Sequence, residues 1–313
     1  MPNLTDMAFL RLIRIQNLLL IALMQLVMRY GFLEFQTIPL ALSDFHYALL
    51  VLSTVCIAAA GYIINDINDI ATDAENRPER VLVSGKITEA FAYNAYFALN
   101  VIGVGIGFYL SNYIGRPGFA LLFVTISATL YLYATNFRRT MLIGNILVAL
   151  LLGLSVAIIG VFDLLPVVTA ENQLTMSVYF KVLLDYAAFA CVINLLREIV
   201  KDMEDVNGDF NQGMNTLPIA LGVERTARVV FFATLLPIAA VLYYIRTYYM
   251  DNNLHYATLY ALIFVAAPLI YFFVKMWQAR TKKDFAHLQQ VLKLVILFGV
   301  LSILVVTLNI RHA

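Results

Sequence analysis

The sequence predicts an all-α integral membrane protein with nine transmembrane helices, arranged as two parallel four-helix repeats plus a ninth helix around a central cavity. Three observations carry that expectation. Of 313 residues, 62% are hydrophobic and 13% charged, at a mean hydropathy of +0.82, which is more apolar side chain than a soluble domain could cover. The apolar residues fall into nine runs, roughly 10–33, 44–64, 87–110, 117–135, 141–163, 178–199, 226–247, 254–276 and 288–309, each near the length of about 20 residues that crosses a bilayer. Finally, the pattern Asp-x-x-Asp-x-x-x-Asp occurs twice, at Asp66, Asp69 and Asp73 and at Asp202, Asp205 and Asp209, with an offset of 136 residues. That offset spans four helices, an even number, so both copies return to the same membrane face. The chain is read as one domain, 1–313, with repeat-like halves at about 10–135 and 141–276.

Charge placement sets the orientation. The N-terminal segment and the loops after the second, fourth, sixth and eighth spans hold 16 of the 21 Lys and Arg residues, and the opposite side holds Arg29, Arg116, Lys181, Arg246 and Arg311. The positive-inside rule then puts the N-terminus and both acidic stretches on the cytoplasmic side of the cytoplasmic membrane and the C-terminus outside. The net charge of +1 says nothing about partners; membrane lipid is expected, with no nucleic acid and no obligatory protein partner. The first apolar run is too long for a cleaved leader and is expected to remain as a span.

Each element has a local reason. Arg11 and Arg14 sit one turn apart at the entry of the first span, either as topology anchors or as a phosphate contact. The loop Glu34 to Asp44 reads as a plain connection. The second span delivers Asn65, Asp66, Asp69 and Asp73, and Asn-Arg-Pro at 76–78 ends it, since proline disfavours helical geometry in the residue before it. Gly103, Gly105 and Gly107 in the third span suit close helix packing. The fourth span leads through Tyr131 to the pair Arg138 and Arg139, which serve topology or function. The fifth runs from about Asn145 to Asp163. In the sixth, Lys181 and Asp185 are spaced to pair, and Asn194, Arg197, Glu198 and Lys201 precede the second acidic set. The last three spans carry no acidic pair, and Tyr243, Tyr244, Tyr248 and Tyr249 fit an interfacial belt. Cys56 and Cys191 read as packing residues, and two Cys with four His make no zinc-type ligand set.

The chemistry concentrates in the acidic stretches. Residues 65–80 and 197–209 hold 10 of the 20 acids. At about 100° per residue, Asn65, Asp66, Asp69 and Asp73 share one helix face about 100° wide. Stacked carboxylates repel one another, and oxygen ligands on such a face favour hard cations. If the two faces converge, magnesium ions held through one or two carboxylates each, completed by phosphate oxygens, satisfy the charge. A diphosphate so neutralised is a good leaving group. On an allylic isoprenoid its departure leaves a stabilised cation in an apolar tunnel, ready to alkylate an acceptor.

Asn65-Asp66-x-x-Asp69-x-x-x-Asp73 followed by Asn-Arg-Pro-x-Arg, and Arg197-Glu-x-x-Lys-Asp-x-x-Asp-x-x-x-Asp209 followed by Gly213 and Thr216-Leu-Pro, resemble the two signature motifs of the UbiA superfamily of intramembrane prenyltransferases. The likeness covers nearly the whole chain. It implies magnesium-dependent transfer of a prenyl group from its diphosphate to a lipophilic acceptor. Matched position by position, Asp66, Asp69, Asp73, Asp202, Asp205 and Asp209 are the metal residues, and Asp66, Asp69, Asp202 and Asp205 carry catalysis. Asn65, Arg77, Arg80, Arg138, Arg139, Arg197 and Lys201 bind substrate. The family often has a lysine four residues after a tyrosine past its fourth span. Here Tyr131 is followed by Thr135, and Arg138 or Arg139 stands in for that lysine.

Within the superfamily, Arg-Glu-Ile-Val-Lys-Asp-Met-Glu-Asp-Val-Asn-Gly-Asp is most similar to enzymes that move a geranylgeranyl group onto geranylgeranylglyceryl phosphate in ether-lipid synthesis. An aromatic acceptor, as in quinone biosynthesis, is the alternative. An ion-coupled transporter is the remote one, since such carriers place their acids near the bilayer midplane and these lie at helix ends.

Overall fold

The structure, a computed structural model, describes residues 4–76 and 81–311. Arg77 and Arg80 lie outside the described residues. The described residues form twelve helices: α1 Leu4–Leu12, α2 Ile15–Gln36, α3 Asp44–Asn68, α4 Ile70–Asn76, α5 Glu89–Tyr113, α6 Pro117–Thr135, α7 Ile143–Val167, α8 Gln173–Asn211, α9 Leu217–Leu221, α10 Val223–Met250, α11 His255–Gln278 and α12 Lys282–Arg311. Nine of these are long and apolar enough to cross a membrane, and they coincide with the nine expected runs. Among the described residues, β pairing is confined to one bridge, Val83 with Ile87.

Boundaries differ from the sequence expectation at three informative places. The first span begins at Ile15, because Arg14 has left-handed backbone geometry (φ 51°) that separates α1 from α2. The helix bearing the first acidic stretch is interrupted at Asp69, and the chain resumes as α4. The sixth span continues through its acidic stretch to Asn211, a helix of 39 residues, about 58 Å long and well beyond the hydrocarbon thickness.

Helix neighbours follow from small residues. α5 packs along α3, where a Cβ on Gly103 would stand 2.6 Å from Ile57 and 3.1 Å from the Ser53 carbonyl, and Ser53 Oγ donates to the Gly103 carbonyl at 2.7 Å. α8 packs along α7, where a Cβ on Gly153 would stand 2.9 Å from the Ala187 carbonyl. Gly107 meets Phe123 in the same way, but Gly105 faces open space and has no packing role. Elsewhere, Lys181 pairs with Asp185 at 3.5 Å as expected, and both cysteines are free thiols. Of the four tyrosines expected in a belt, Tyr249 is buried in a core cluster instead.

The end of the bundle remote from the acidic stretches is closed. Phe123 of α6 and Phe162 of α7 meet edge to face at 5.2 Å. Beyond them Arg29 of α2 pairs with Asp163 of α7, Arg29 Nη2 donates to the Leu42 carbonyl at 2.8 Å, and the Leu42 amide donates to Asp163 Oδ1 at 2.9 Å. The loop 37–43 is therefore a structural plug and not a plain connection.

Candidate active site

At the other end the two acidic stretches converge. Asp69 sits at the α3–α4 junction, where its amide donates to the Asn65 carbonyl at 3.0 Å and its carbonyl accepts from the Asp73 amide at 2.8 Å. This nearly helical path keeps Asn65, Asp66, Asp69 and Asp73 on one wall. Asn65 Nδ2 donates to Asp69 at 2.5 Å, and Arg138, on the turn Phe137–Arg139 after α6, pairs with the same carboxylate. Arg14 Nη2 donates to Asp66 at 2.8 Å while its guanidinium lies 4.9 Å from the Tyr62 ring. The strained backbone at Arg14, worth roughly 1–3 kcal/mol, is what aims it there.

The facing wall is α8. Glu198 lies between Arg197 at 3.4 Å and Lys201 at 3.8 Å, Arg197 also reaches Asn194 at 3.1 Å, and Asp202 accepts from Asn145 of α7 at 2.7 Å. Asp205 and Asp209 are buried. The stretches touch directly where Asn211 donates to Glu75, residues that stand at the same 136-residue offset as the aspartates.

Between the walls lies a cavity of about 980 Å³. Asp66, Asp69, Asp73, Glu198 and Asp205 give its mouth negative charge, and Arg11, Arg14, Arg138, Arg197, Lys201 and Lys293 give it positive charge. Its deeper wall is apolar, with Ile57, Phe123, Ile126, Leu130, Leu151 and Ile158, and it ends at the phenylalanine floor. A charged mouth on an apolar tunnel fits an amphiphile with an anionic head.

The donor set suits a hard cation. Buried Asn65 Oδ1, on the cavity wall, has no hydrogen-bond partner among the described residues, and such an oxygen is what an oxygen-seeking ion satisfies. Burial first, and then the charge of Asp66, lift the Asp73 carboxyl above its ordinary pKa, although Lys201 across the cavity opposes this. Burial likewise lowers the Arg138 guanidinium against the pull of Asp209. Among the described residues no three acidic, His or Cys side chains form a closed metal cage. Magnesium does not need one, since it keeps few protein ligands and takes the rest from water and phosphate.

Not every expected residue reaches the cavity. Arg139 is exposed and contributes its carbonyl to the Asn215 amide at 2.9 Å, while its neighbour Arg138 turns inward. Tyr131 is on the exposed side of α6, and Tyr133 lines the cavity instead. Asp202 and Asp209 stand behind the wall that Asp205 presents. Sequence reasoning did not single out Gln289 or Lys293. The signal available for Lys293 was an ionisable residue inside a transmembrane run.

Comparison with known proteins agrees with this geometry. The profile of the UbiA prenyltransferase family matches residues 35–297. The digeranylgeranylglyceryl phosphate synthase of Methanopyrus kandleri is 34% identical over 258 residues, covering 82% of this chain and 85% of its own. The apo structure of a UbiA homologue from Aeropyrum pernix superposes with a TM-score of 0.66 at 16% identity over 100% of both chains. A UbiA homologue from Archaeoglobus fulgidus bound to dimethylallyl diphosphate and Mg2+ superposes with a TM-score of 0.58 at 18% identity, covering 94% of this chain and 98% of its own. At those identities the structural likeness shows the shared fold.

Proposed function

Because the chain belongs to the UbiA prenyltransferase family, we propose that it binds a polyprenyl diphosphate, geranylgeranyl diphosphate, with its head at the acidic mouth and its tail in the tunnel, and transfers the prenyl group to geranylgeranylglyceryl phosphate. The observation that carries this reading is the convergence of two acidic stretches at the mouth of an apolar cavity of about 980 Å³. The named relative from Methanopyrus kandleri supports the acceptor, and the Archaeoglobus fulgidus homologue supports magnesium.

In this reading Asp66, Asp69, Asp73 and Asp205 hold magnesium from the cavity wall, and Asp202 and Asp209 support them from behind. When bound, magnesium neutralises the diphosphate and makes it a better leaving group. Arg14 and Arg138, which sit on Asp66 and Asp69 in the ligand-free chain, give those carboxylates up to the cation and turn to the phosphates. Lys201, now on Glu198, does the same from α8. The allylic C–O bond breaks with its electron pair leaving on the diphosphate, the acceptor hydroxyl oxygen bonds to the freed carbon, and its proton goes to the departing diphosphate. The tunnel wall keeps water from the cation. The two halves, about 10–135 and 141–276, each deliver one acidic stretch to this single domain.

Product analysis by mass tests the reading: purified protein with magnesium and geranylgeranyl diphosphate should prenylate geranylgeranylglyceryl phosphate and not hydroxybenzoate or dihydroxynaphthoate. The reverse preference would replace it with the quinone-type reaction. The neighbours Arg138 and Arg139 offer a sharper check. Arg138→Gln should cost about tenfold or more in kcat/KM, the worth of one charge-assisted contact, whereas Arg139→Gln should stay near wild type. Equal losses would mean that the turn does not aim Arg138 alone into the site.

Orientation is also open to direct test, since the 16 to 5 division of basic residues puts the acidic stretches in the cytoplasm. In a background lacking Cys56 and Cys191, a cysteine at Asn207 should be shielded from an impermeant maleimide added to intact cells, and one at Glu171 should react. The opposite labelling pattern would invert the topology.

A further inference from the structure

Among the described residues Lys293 lines the cavity without an ion pair, as does Arg11 at the mouth. Lys293 sits about 16 Å along α12 from Lys282, inside a membrane-spanning helix, where an ionisable side chain is costly and usually functional. Arg14, Arg138, Arg197 and Lys201 each have a carboxylate within 4 Å. The charge that bears on Lys293 is Arg197, also positive.

The register of α12 on α8 brings the two cations to neighbouring levels of the bundle. Gln289 Nε2 donates to Glu204 at 2.5 Å and fixes the level of the two antiparallel helices. One turn deeper on each, Lys293 comes level with Val200, flanked by Arg197 and Lys201. Lys293 also lines a second hollow of about 360 Å³ between α2 and α12, together with Gln16 and Gln290, and Leu19 and Leu294 on its rim are exposed. Gln16, Leu20, Gln290 and Lys293 are shared by both hollows. A lipid-facing groove thus leads to two basic residues on the wall of the same cavity that the aspartates line, with amide side chains at its edge.

We propose that Lys293, with Arg197 of α8 and with Gln16 and Gln290 at the rim, is the site that receives the phosphate monoester of a lipid acceptor entering between α2 and α12. A monoester carries close to two negative charges: Lys293 answers one, Arg197 answers the other on exchanging Glu198 for the ligand, and amides supply further donors to its oxygens. The alkyl chain stays along the leucines of the groove. This inference rests on the proposed function for the identity of the acceptor, though not for the existence of the anion site.

The test uses the full chain in phosphatidylcholine nanodiscs and reads binding separately from turnover. Without donor, a saturated alkylglycerol phosphate is titrated against wild type, Lys293→Gln and Lys293→Arg by native mass spectrometry, with inorganic phosphate and phosphatidylglycerol as competitors. With geranylgeranyl diphosphate and geranylgeranylglyceryl phosphate, Michaelis constants for donor and acceptor are measured on the same preparations. Lys293→Gln should weaken lipid-phosphate binding and raise the acceptor constant by about tenfold, with little change in the donor constant, and Lys293→Arg should recover most of the loss. Inorganic phosphate should compete weakly, because it lacks the chain. The proposal is overturned if Lys293→Gln binds lipid phosphate as wild type does, or if donor and acceptor constants rise alike. It is also overturned if phosphatidylglycerol displaces the monoester as well as the monoester itself, which would make Lys293 a contact for bulk anionic lipid. If no lipid phosphate is prenylated yet Lys293→Gln still loses binding, the anion site stands and the proposed acceptor falls.

Discussion

Asp66→Asn should lower turnover by about two orders of magnitude or more, the scale on which losing one preorganised charge contact at a reacting group is felt, and should raise the magnesium concentration needed for half-maximal rate. The substitution keeps shape and removes one charge. Asp66 is suited to the test because its side chain is 15% exposed and faces the cavity, and its partner Arg14 is 33% exposed and can be rehydrated when released. Folding should therefore survive, as a thermal melt in detergent would verify. Asp205→Asn on the facing wall should behave alike, because the proposed cations are held from both stretches. Prenyl transfer read by product mass across a magnesium titration decides the matter. Wild-type rates in either variant, or undiminished rates in chelator, would remove the metal-held diphosphate from the mechanism.

How far the sequence disclosed this site follows from which physical signal each residue carries. The nine spans were legible because hydropathy over about 20 residues is set by the bilayer, and the aspartates because charge on a repeated helical spacing is rare in an apolar chain. Helical phase at the ends of spans was not legible. Tyr131 and Tyr133 are two residues apart on α6, so they fall on different faces, and a boundary uncertain by one or two residues exchanges them. Arg138 and Arg139 lie on a three-residue turn whose direction is set by Gly144, where a Cβ would stand 2.8 Å from the Phe137 carbonyl. Periodicity has nothing to say about that turn. The extension of α8 to Asn211 was hidden because its last turns are polar and stop looking like a span, although they stay helical against α4 and Glu75. Isolated polar residues in apolar helices, such as Asn145 and Lys293, gain meaning only from what stands opposite them.

The least legible feature gives the largest expected effect on stability. Arg29 and Asp163 are 134 residues apart, each alone at the end of a span, and in sequence they look like topology markers. In the structure they are 3% and 0% exposed, and their hydrogen bonds to both backbone groups of Leu42 fasten the loop 37–43 across the end of the bundle. A buried pair of this kind is weak evidence for net stabilisation, yet removing Asp163 leaves buried Arg29 only the exposed carboxylates of Glu34 at 3.3 Å and Asp44 at 3.6 Å, at a cost of up to about 3–5 kcal/mol. Asp163→Leu should therefore lower the melting temperature far more than Asp66→Asn, although it lies at the opposite end from the chemistry. The double variant Arg29→Met with Asp163→Leu should regain much of the loss, because it leaves no buried charge unpaired. The plug also seals the tunnel behind Phe123 and Phe162, so loosening it should let water reach the prenyl cation and give free prenyl alcohol. Thermal melts of the three variants, with prenyl alcohol measured by mass beside the coupled product, would settle both points. A Asp163→Leu protein that melts like wild type and releases no extra alcohol would show that the pair neither holds nor seals that end.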